Sequence, residues 1–324
     1  MIEGEPSMPH MLTVKPRRVQ QSFMDFEIVT DLESLDANVA ILGVPYSDPY
    51  SIDEVTNDQT NAPTAIRRAS VRASGGVERW DFDLNGPIFD EKNIRVVDCG
   101  DVPGNAHDLS MHYSLAEQAS RKITANNTLL ITLGGDHGVP IPVLRGLDAH
   151  GPITLVQIDA HLDWKDAKNG VRDGYSSPIR RASEMEHIGE IFQIGLRCQG
   201  SAQSADVAAA RAYGSHLITD MELQDSGIDA VLKKIPTGGN TYLTIDADGM
   251  DPSSMPAVAG PAPGGVTYHQ ARKLIQGLTA KTRVLGMDIV EITPKRDVNE
   301  ITAITAGNLI INMIGSAVRA GYFD

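Results

Sequence analysis

Cysteine is nearly absent from this sequence of 324 residues, which contains only Cys99 and Cys198. Two cysteines cannot form a disulfide framework, and any metal site must therefore draw mainly on histidine and carboxylate ligands. We also expect no secretory signal, because residues 1–23 carry scattered charges and prolines instead of an apolar segment followed by small residues. Both absences favour a cytoplasmic protein.

Long apolar runs are lacking as well, and we expect no segment to span a membrane. Positively charged residues are also few, since the sequence has 28 Lys and Arg against 42 Asp and Glu. The formal net charge is therefore −14 at pH 7. Such a surface argues against a nucleic acid partner, whose phosphates it would repel. It favours attraction of cations, although an ordinary acidic surface explains the same number.

The 41% of hydrophobic residues is enough to bury a sizeable core. Runs rich in Val, Ile and Leu alternate with helix-like segments, and several runs are apolar at consecutive positions, as in parallel strands covered on both faces. Eight strands are predicted, at 38–46, 94–102, 127–133, 153–158, 191–197, 216–219, 241–245 and 284–290. Helices are predicted at 62–74, 115–126, 177–187, 220–234, 268–279 and 299–319.

This alternation predicts an α/β fold, a three-layer α/β/α sandwich with a mainly parallel eight-stranded sheet between the two helical layers. No internal repeat or long linker divides the chain. We therefore expect one domain over residues 26–324, preceded by an N-terminal arm at residues 1–25 that is available for assembly.

A glycine turn, LGGDHG at residues 133–138, follows the third predicted strand. Glycine lets the backbone turn closely and presents His137 at the strand end, where open α/β sheets bind ligands. A tight turn with a structural histidine explains the same pattern, so this turn alone does not identify a metal ligand.

The segment QIDAHLDW, residues 157–164, places Asp159, His161 and Asp163 two positions apart. In an extended strand end these side chains point the same way. Burying two carboxylates and an imidazole side by side costs several kcal/mol unless a cation lies among them. The alternative is a solvated strand end with three unrelated polar residues.

The segment LTIDADGMDP, residues 243–252, repeats this arrangement with Asp246 and Asp248. A calcium loop also contains D-x-D-G, but the EF-hand register and its closing Glu are missing.

The three segments together supply two histidines and four carboxylates, which suits two divalent cations. Ligands of this kind favour Mn²⁺ first and Ni²⁺ second, with Co²⁺ or Fe²⁺ open.

These motifs resemble the ureohydrolase family of arginases and agmatinases, whose GGDH, D-A-H-x-D and D-x-D-x-x-D-P motifs occur here in the same order. Glu291 matches a fourth family element, a Glu after the last strand. The resemblance covers residues from about 38 to 320 and is nearest to agmatinase-like members.

The resemblance implies an arginase-like fold and a binuclear hydrolase that cleaves a guanidino compound and releases urea. One metal would be held by His137, Asp159, Asp163 and Asp246, and the other by Asp159, His161, Asp246 and Asp248, with Asp159 and Asp246 bridging.

A guanidinium carbon is a poor electrophile, and two cations can lower the pKa of a shared water from about 15.7 to about 7. Asp163 would orient this nucleophile and carry its proton to the leaving amine. Glu291 would accept two parallel hydrogen bonds from the small cationic guanidino substrate. A surface Glu at a strand end is the alternative for Glu291.

The sequence departs from the family at Tyr175, which stands where many members have a His-Gly step. A tyrosine with an ordinary pKa of about 10 cannot shuttle protons near neutrality, but it can donate a hydrogen bond to the substrate. Residues 46–51, including Tyr50, are predicted to line the entrance, where a polar aromatic loop suits a small cationic ligand. A plain surface loop explains them equally well.

Agmatinase-like activity is favoured because the amino-acid recognition segment of arginases is not found in this sequence. Guanidine, guanidino acids and biguanides such as metformin remain open as substrates. Two other classes fit less well: a single-zinc, deacetylase-like enzyme has fewer carboxylates, and a low-activity partner subunit would usually have lost ligands. The resemblance implies a homo-oligomer, a trimer or hexamer, with a hetero-oligomer open.

Overall fold

The sheet is parallel throughout, and it is the element that positions the site. A computed structural model describes residues 14–51, 58–104 and 108–324, so the first thirteen residues of the predicted arm lie outside the described residues. The strands in these ranges are β1 (Glu27–Ile28), β2 (Val39–Val44), β3 (Val96–Asp101), β4 (Leu129–Gly134), β5 (Ile153–Ile158), β6 (Ile188–Leu196), β7 (His216–Thr219), β8 (Asn240–Asp246) and β9 (Arg283–Val290).

Helices cover both faces of this sheet. In the described ranges they are α1 (Ala62–Ser70), α2 (Leu109–Thr124), α3 (Pro140–Arg145), α4 (Pro178–Ala182), α5 (Ser204–Tyr213), α6 (Asp220–Ser226), α7 (Ile228–Lys234), α8 (Tyr268–Lys281) and α9 (Ile301–Arg319).

The strand order is β1-β3-β2-β4-β9-β8-β5-β6-β7, and every neighbouring pair is parallel. Successive side chains of a strand point to opposite faces. Ile131 of β4 accordingly packs in one core cluster, and its neighbour Leu130 packs in the other. The predicted α/β/α sandwich is thus confirmed, and the carboxyl ends of β4, β9, β8 and β5 lie side by side at one edge of the sheet.

All eight predicted strands are present, but the described residues form nine. Strand β1 has two residues, paired with β3, and is too short to produce a sequence pattern. Helix α5 was missed because it buries only Ala210 and therefore lacks an apolar stripe. The helix predicted at 220–234 is two helices, separated at Gly227, whose φ of 74° interrupts the helical backbone.

Helix α9 corrects the expectation that no run is apolar enough to span a membrane. It has 19 residues and meets a length and hydropathy test for a membrane span. In the structure, however, 83% of its apolar window is buried, and it packs against α1 and α8. Its apolarity is that of a helix within the protein core.

A buried ion pair fastens α1 to β3. Arg67 donates two hydrogen bonds to Asp98, at 2.8 and 2.9 Å, and a third to Asp101 at 2.6 Å. The Arg67 side chain is only 1% exposed, so its guanidinium depends on these carboxylates for solvation. Because a short 3-10 helix, Asp58–Asn61, leads directly into α1, this ion pair also positions that segment.

We expect Arg67→Met to lower the free energy of unfolding by about 3–5 kcal/mol, because it leaves the Asp98 carboxylate buried without its partner. Arg68→Met is the matched control, since the neighbouring Arg68 makes only an exposed pair with Glu300 and should contribute at most about 1 kcal/mol. Urea denaturation followed by circular dichroism measures both. Equal losses would contradict this role for the buried pair.

Candidate metal centre

Polar residues lie at or just after the ends of four adjacent strands, β4, β9, β8 and β5, at the same edge of the sheet. Their side chains converge because the carboxyl ends of parallel strands meet there. The structure brings all six predicted ligand residues together at this edge: His137, Asp159, His161, Asp163, Asp246 and Asp248.

His137 is surrounded by carboxylates. Its Nδ1 atom lies 2.9 Å from Asp163 Oδ2, 3.0 Å from Asp246 Oδ2 and 3.1 Å from Asp159 Oδ2. The imidazole is 1% exposed, and Nδ1 has no hydrogen-bond partner in the described part of the chain. An unpartnered nitrogen that faces three buried oxygens is arranged for a cation.

The contacts of the second ring nitrogen of His137, Nε2, indicate which nitrogen carries the proton when the imidazole is neutral. Thr244 Oγ1 donates to Asp288 at 2.7 Å, so it can only accept from His137 Nε2, which lies 3.0 Å away. Tyr242 donates to the second oxygen of Asp288 at 2.7 Å. In the neutral imidazole, Nε2 therefore holds the hydrogen and Nδ1 turns its lone pair towards the three carboxylates, as a metal ligand does.

A second group consists of Asp159, His161 and Asp248. The Nδ1 atom of His161 lies 3.3 Å from Asp248 Oδ2 and 3.5 Å from Asp159 Oδ1. Asp159 thus faces His137 with one oxygen and His161 with the other. Asp248 Oδ1 is buried without a hydrogen-bond partner, which leaves it available to a cation.

Gly249 allows the ends of β8 and β5 to approach each other. A Cβ atom at this position would lie 2.5 Å from the backbone N and Cα of Asp159. Such a contact is far inside van der Waals distance, so only glycine lets the two segments pack here. The close approach places Asp248 beside His161.

Without a cation, burial raises the pKa of most carboxylates in the cluster, whereas at Asp159 the hydrogen bonds to His137 and His161 outweigh burial and lower the pKa. Burial, followed by repulsion from Asp159, raises the pKa of Asp163 to about 7. Burial likewise raises the pKa of Glu291 to about 8. Hydrogen bonding to Asp159 and Asp248 raises the pKa of His161 to about 12. The metal-free cluster therefore retains protons at neutral pH, and bound cations would take their place.

Glu291 lies beside these ligands, after β9, with a φ of 64°. One carboxylate oxygen accepts the His137 backbone N–H at 2.9 Å, and the other accepts the Gln59 amide at 2.5 Å. The Gln59 side-chain oxygen is buried without a hydrogen-bond partner. Gln59 was missed from the sequence because no local pattern links it to Glu291, 232 residues away.

Arg197 was also missed. Its guanidinium donates to the backbone carbonyls of Asp248 at 2.7 Å, Ala262 at 3.0 Å and Gly249 at 3.1 Å. It therefore fastens the segment after β8 to the end of β6. An arginine without a neighbouring motif carries no sequence signal for this role.

A cavity of about 310 Å³ opens over the cluster. Its described lining residues are Gln59, His161, Asp163, Lys168, Tyr175, Ser176, Ser201, Asp246, Asp248, Ala259, Gly260 and Glu291. Of the two predicted substrate-contacting tyrosines, Tyr175 lines the cavity, whereas Tyr50 lies behind it. The Tyr50 hydroxyl accepts the backbone N–H of Ser176 at 2.9 Å, which places Tyr50 in support of the lining loop.

Comparisons with known proteins agree on a family. The Arginase family model matches residues 37–315. A guanidinobutyrase from Pseudomonas aeruginosa is 31% identical over 290 residues, covering 88% of this chain and 87% of that protein. An agmatinase from Photorhabdus laumondii is 30% identical over 303 residues, covering 90% and 91%. The crystal structure of a hypothetical agmatinase from Burkholderia thailandensis matches with a TM-score of 0.76 at 27% identity, covering 93% and 91%.

These matches confirm the resemblance inferred from the four motifs. Proteins of the Arginase family depend on a binuclear metal centre, and the described residues contain two candidate ligand groups that share Asp159. The donor set is carboxylate and imidazole without thiolate, which fits first-row divalent ions.

We expect Thr244→Val to lower metal affinity by about 10–100-fold, because it removes the hydroxyl that holds the His137 tautomer. Competition with a chromophoric chelator measures the affinity. Thr241→Val is the control, since Thr241 lies on the same strand and its buried hydroxyl has no hydrogen-bond partner among the described residues. Equal metal affinity in the two variants would contradict the role of Thr244 in holding the His137 tautomer.

The metal-free protein should lose stability as the pH rises from about 5 to about 8. A group whose pKa is raised by folding stabilises the fold fully below its ordinary pKa, and this contribution is lost as the pH rises through the folded value. The window runs from 3.8 to about 7 for Asp163 and from 4.5 to about 8 for Glu291. Denaturant unfolding in chelator, repeated across this range, tests the sign. The metal-loaded protein should lose less stability over the same pH range. An increase in the stability of the metal-free protein with rising pH would contradict the expectation.

Proposed function

This chain belongs to the arginase family and is a hydrolase of the type that acts on linear amidines, and from that premise we propose that it cleaves a C–N bond of a small guanidino compound and releases urea. The observation that carries the proposal is the position of His137 Nδ1, which lies 2.9 to 3.1 Å from three buried carboxylates, with Glu291 beside them at the cavity.

Two divalent cations are proposed for this cluster, Mn²⁺ first and Ni²⁺ as the alternative. When bound, such a pair supplies Lewis-acid chemistry and lowers the pKa of a shared water towards about 7. The proposed ligands are those predicted from the family: His137, Asp159, Asp163 and Asp246 for one ion, and Asp159, His161, Asp246 and Asp248 for the other.

Asp163 is proposed to orient the attacking water and to carry a proton from it to the leaving amine. Its carboxylate lines the cavity and lies within hydrogen-bonding distance of His137 Nδ1, so it faces both the substrate space and the ligand cluster. A buried carboxylate in this position can accept and return a proton without help from bulk water. No histidine is required at position 175 for this transfer.

Glu291 and Gln59 are proposed to hold the guanidinium group. Each oxygen of Glu291 accepts one hydrogen bond from the protein and keeps a lone pair for the substrate. The unpartnered side-chain oxygen of Gln59 adds a third acceptor in the same cavity. A planar guanidinium has donors on several edges, so these acceptors can fix its carbon in one orientation.

Three finer points are kept as predictions from the sequence: a cytoplasmic location, a homo-oligomer that is a trimer or hexamer, and an agmatinase-like substrate. Guanidine, guanidino acids and biguanides are the alternative substrates. Analytical ultracentrifugation of the purified protein measures the oligomeric state directly.

Protein loaded with Mn²⁺ or Ni²⁺ should release urea from at least one of agmatine, guanidinobutyrate, arginine, guanidine and metformin. Asp163→Asn should reduce kcat by about 10²–10⁴-fold, because an amide cannot accept the proton. A colorimetric urea assay measures both.

Asp166→Asn is the matched control, because Asp166 lies in the same loop with a side chain 67% exposed and pairs with Arg181. Its activity should equal that of the unsubstituted protein. Absence of urea from every substrate, with two metal ions bound per chain, would reject the proposed reaction.

A further inference from the structure

The cavity over the metal cluster has a buried floor and a more exposed mouth. Glu291, Asp163 and Asp246 are each at most 7% exposed and form the floor. Lys168 and Ser201, which line the same cavity, lie nearer to solvent. A guanidino group held by Glu291 therefore leaves the other end of its molecule in the part of the cavity that Lys168 lines.

Lys168 is the one Lys or Arg among the described residues that line this cavity. Its Nζ atom lies 4.6 Å from the centre of the Tyr50 ring and 5.1 Å from the centre of the Tyr175 ring, and it donates to the Tyr175 hydroxyl at 3.3 Å. Two ring faces and a hydroxyl hold the ammonium group in place without neutralising it. In the described ranges Lys168 has no ion pair with a carboxylate.

The ammonium group of Lys168 lies against the tyrosine rings that, from the sequence, were expected to contact a cationic ligand. Tyr50 and Tyr175 are 4.7 Å apart between ring centres, and the ammonium of Lys168 already lies against both. A substrate with a positive charge at this end would face the positive charge of Lys168, and this repulsion weakens binding. A carboxylate would instead face an ammonium group that no carboxylate of the described residues pairs with.

Sequence similarity does not decide between a guanidino acid and agmatine as the substrate, because the relatives named for guanidinobutyrate and for agmatine are 31% and 30% identical to the chain. The size of the cavity adds a second constraint. At about 310 Å³, it is at the lower end of the range for small-molecule sites, roughly 300–1,000 Å³, and this favours a short chain between the two ends of the substrate.

We propose that Lys168 makes the enzyme selective for a short guanidino carboxylic acid, whose carboxylate pairs with the Lys168 ammonium while Glu291 holds the guanidinium group. Agmatine, which carries an amine at the end opposite its guanidino group, is disfavoured. This inference rests on the proposed function and names the substrate class of that same site.

The test compares kcat/KM for guanidinobutyrate and agmatine in metal-loaded protein, together with the Lys168→Met and Lys168→Glu variants. The unsubstituted enzyme should prefer guanidinobutyrate by about tenfold or more. Lys168→Met should bring the ratio close to unity, and Lys168→Glu should reverse it. The change should fall mainly on KM, because the side chain contacts the end of the substrate that does not react.

Arg172→Glu is the matched control for net charge. Arg172 lies in the same loop, is 59% exposed and pairs with Asp166, and it does not line the cavity. The substrate ratio of this variant should equal that of the unsubstituted enzyme. A ratio that reverses equally in Arg172→Glu would overturn the assignment to Lys168.

Calorimetric titration of the same metal-loaded proteins with guanidinobutyrate and with agmatine separates this inference from the reaction itself. If neither compound yields urea, the proposed reaction with them fails, while the ratio of the two dissociation constants still tests Lys168. Tighter binding of guanidinobutyrate, reversed in Lys168→Glu, supports the proposal. Tighter binding of agmatine, or a ratio unchanged by Lys168→Glu, overturns it.

Discussion

The structure depends most on how buried negative charge is balanced at the carboxyl edge of the sheet. Asp159, Asp163 and Asp246 all turn an oxygen towards His137 Nδ1, at distances of 2.9 to 3.1 Å. Thr244 and Asp288 hold the other ring nitrogen, so the imidazole presents a lone pair instead of a proton when it is neutral. Such a cluster is stable only with protons or metal cations among its members.

The remainder of the fold serves to bring these groups together. A parallel sheet aligns the ends of four neighbouring strands, and residues far apart in the chain hold the connecting segments in place. Gly249 lets the end of β8 touch the backbone of Asp159, and Arg197 fastens the segment that follows. Arg67 fastens α1 to β3, and with it the short helix that carries Gln59 to Glu291.

The proposed reaction and the proposed substrate preference depend on different parts of one cavity. The floor holds carboxylates and imidazoles suited to a metal pair and to a guanidinium group, and these features accompany membership of the family. Nearer the mouth, Lys168 lies against the rings of Tyr50 and Tyr175, and none of the family motifs includes Lys168. Relatives at nearly equal identity carry names for different substrates, and a few residues that line a site can change which molecule fits it.

The sequence by itself determined the parallel α/β architecture, eight of the nine strands seen in the described part of the chain, and the six clustered candidate ligands. These depend on local patterns, because apolar runs mark buried strands and alternate residues share a face. Only the tertiary structure decided that Gln59 contacts Glu291, that Arg197 holds the segment after β8, and that Lys168 lies against Tyr50 and Tyr175. Such contacts join segments that are distant in sequence or connected by irregular loops, and no periodic pattern in the chain records which of them will meet.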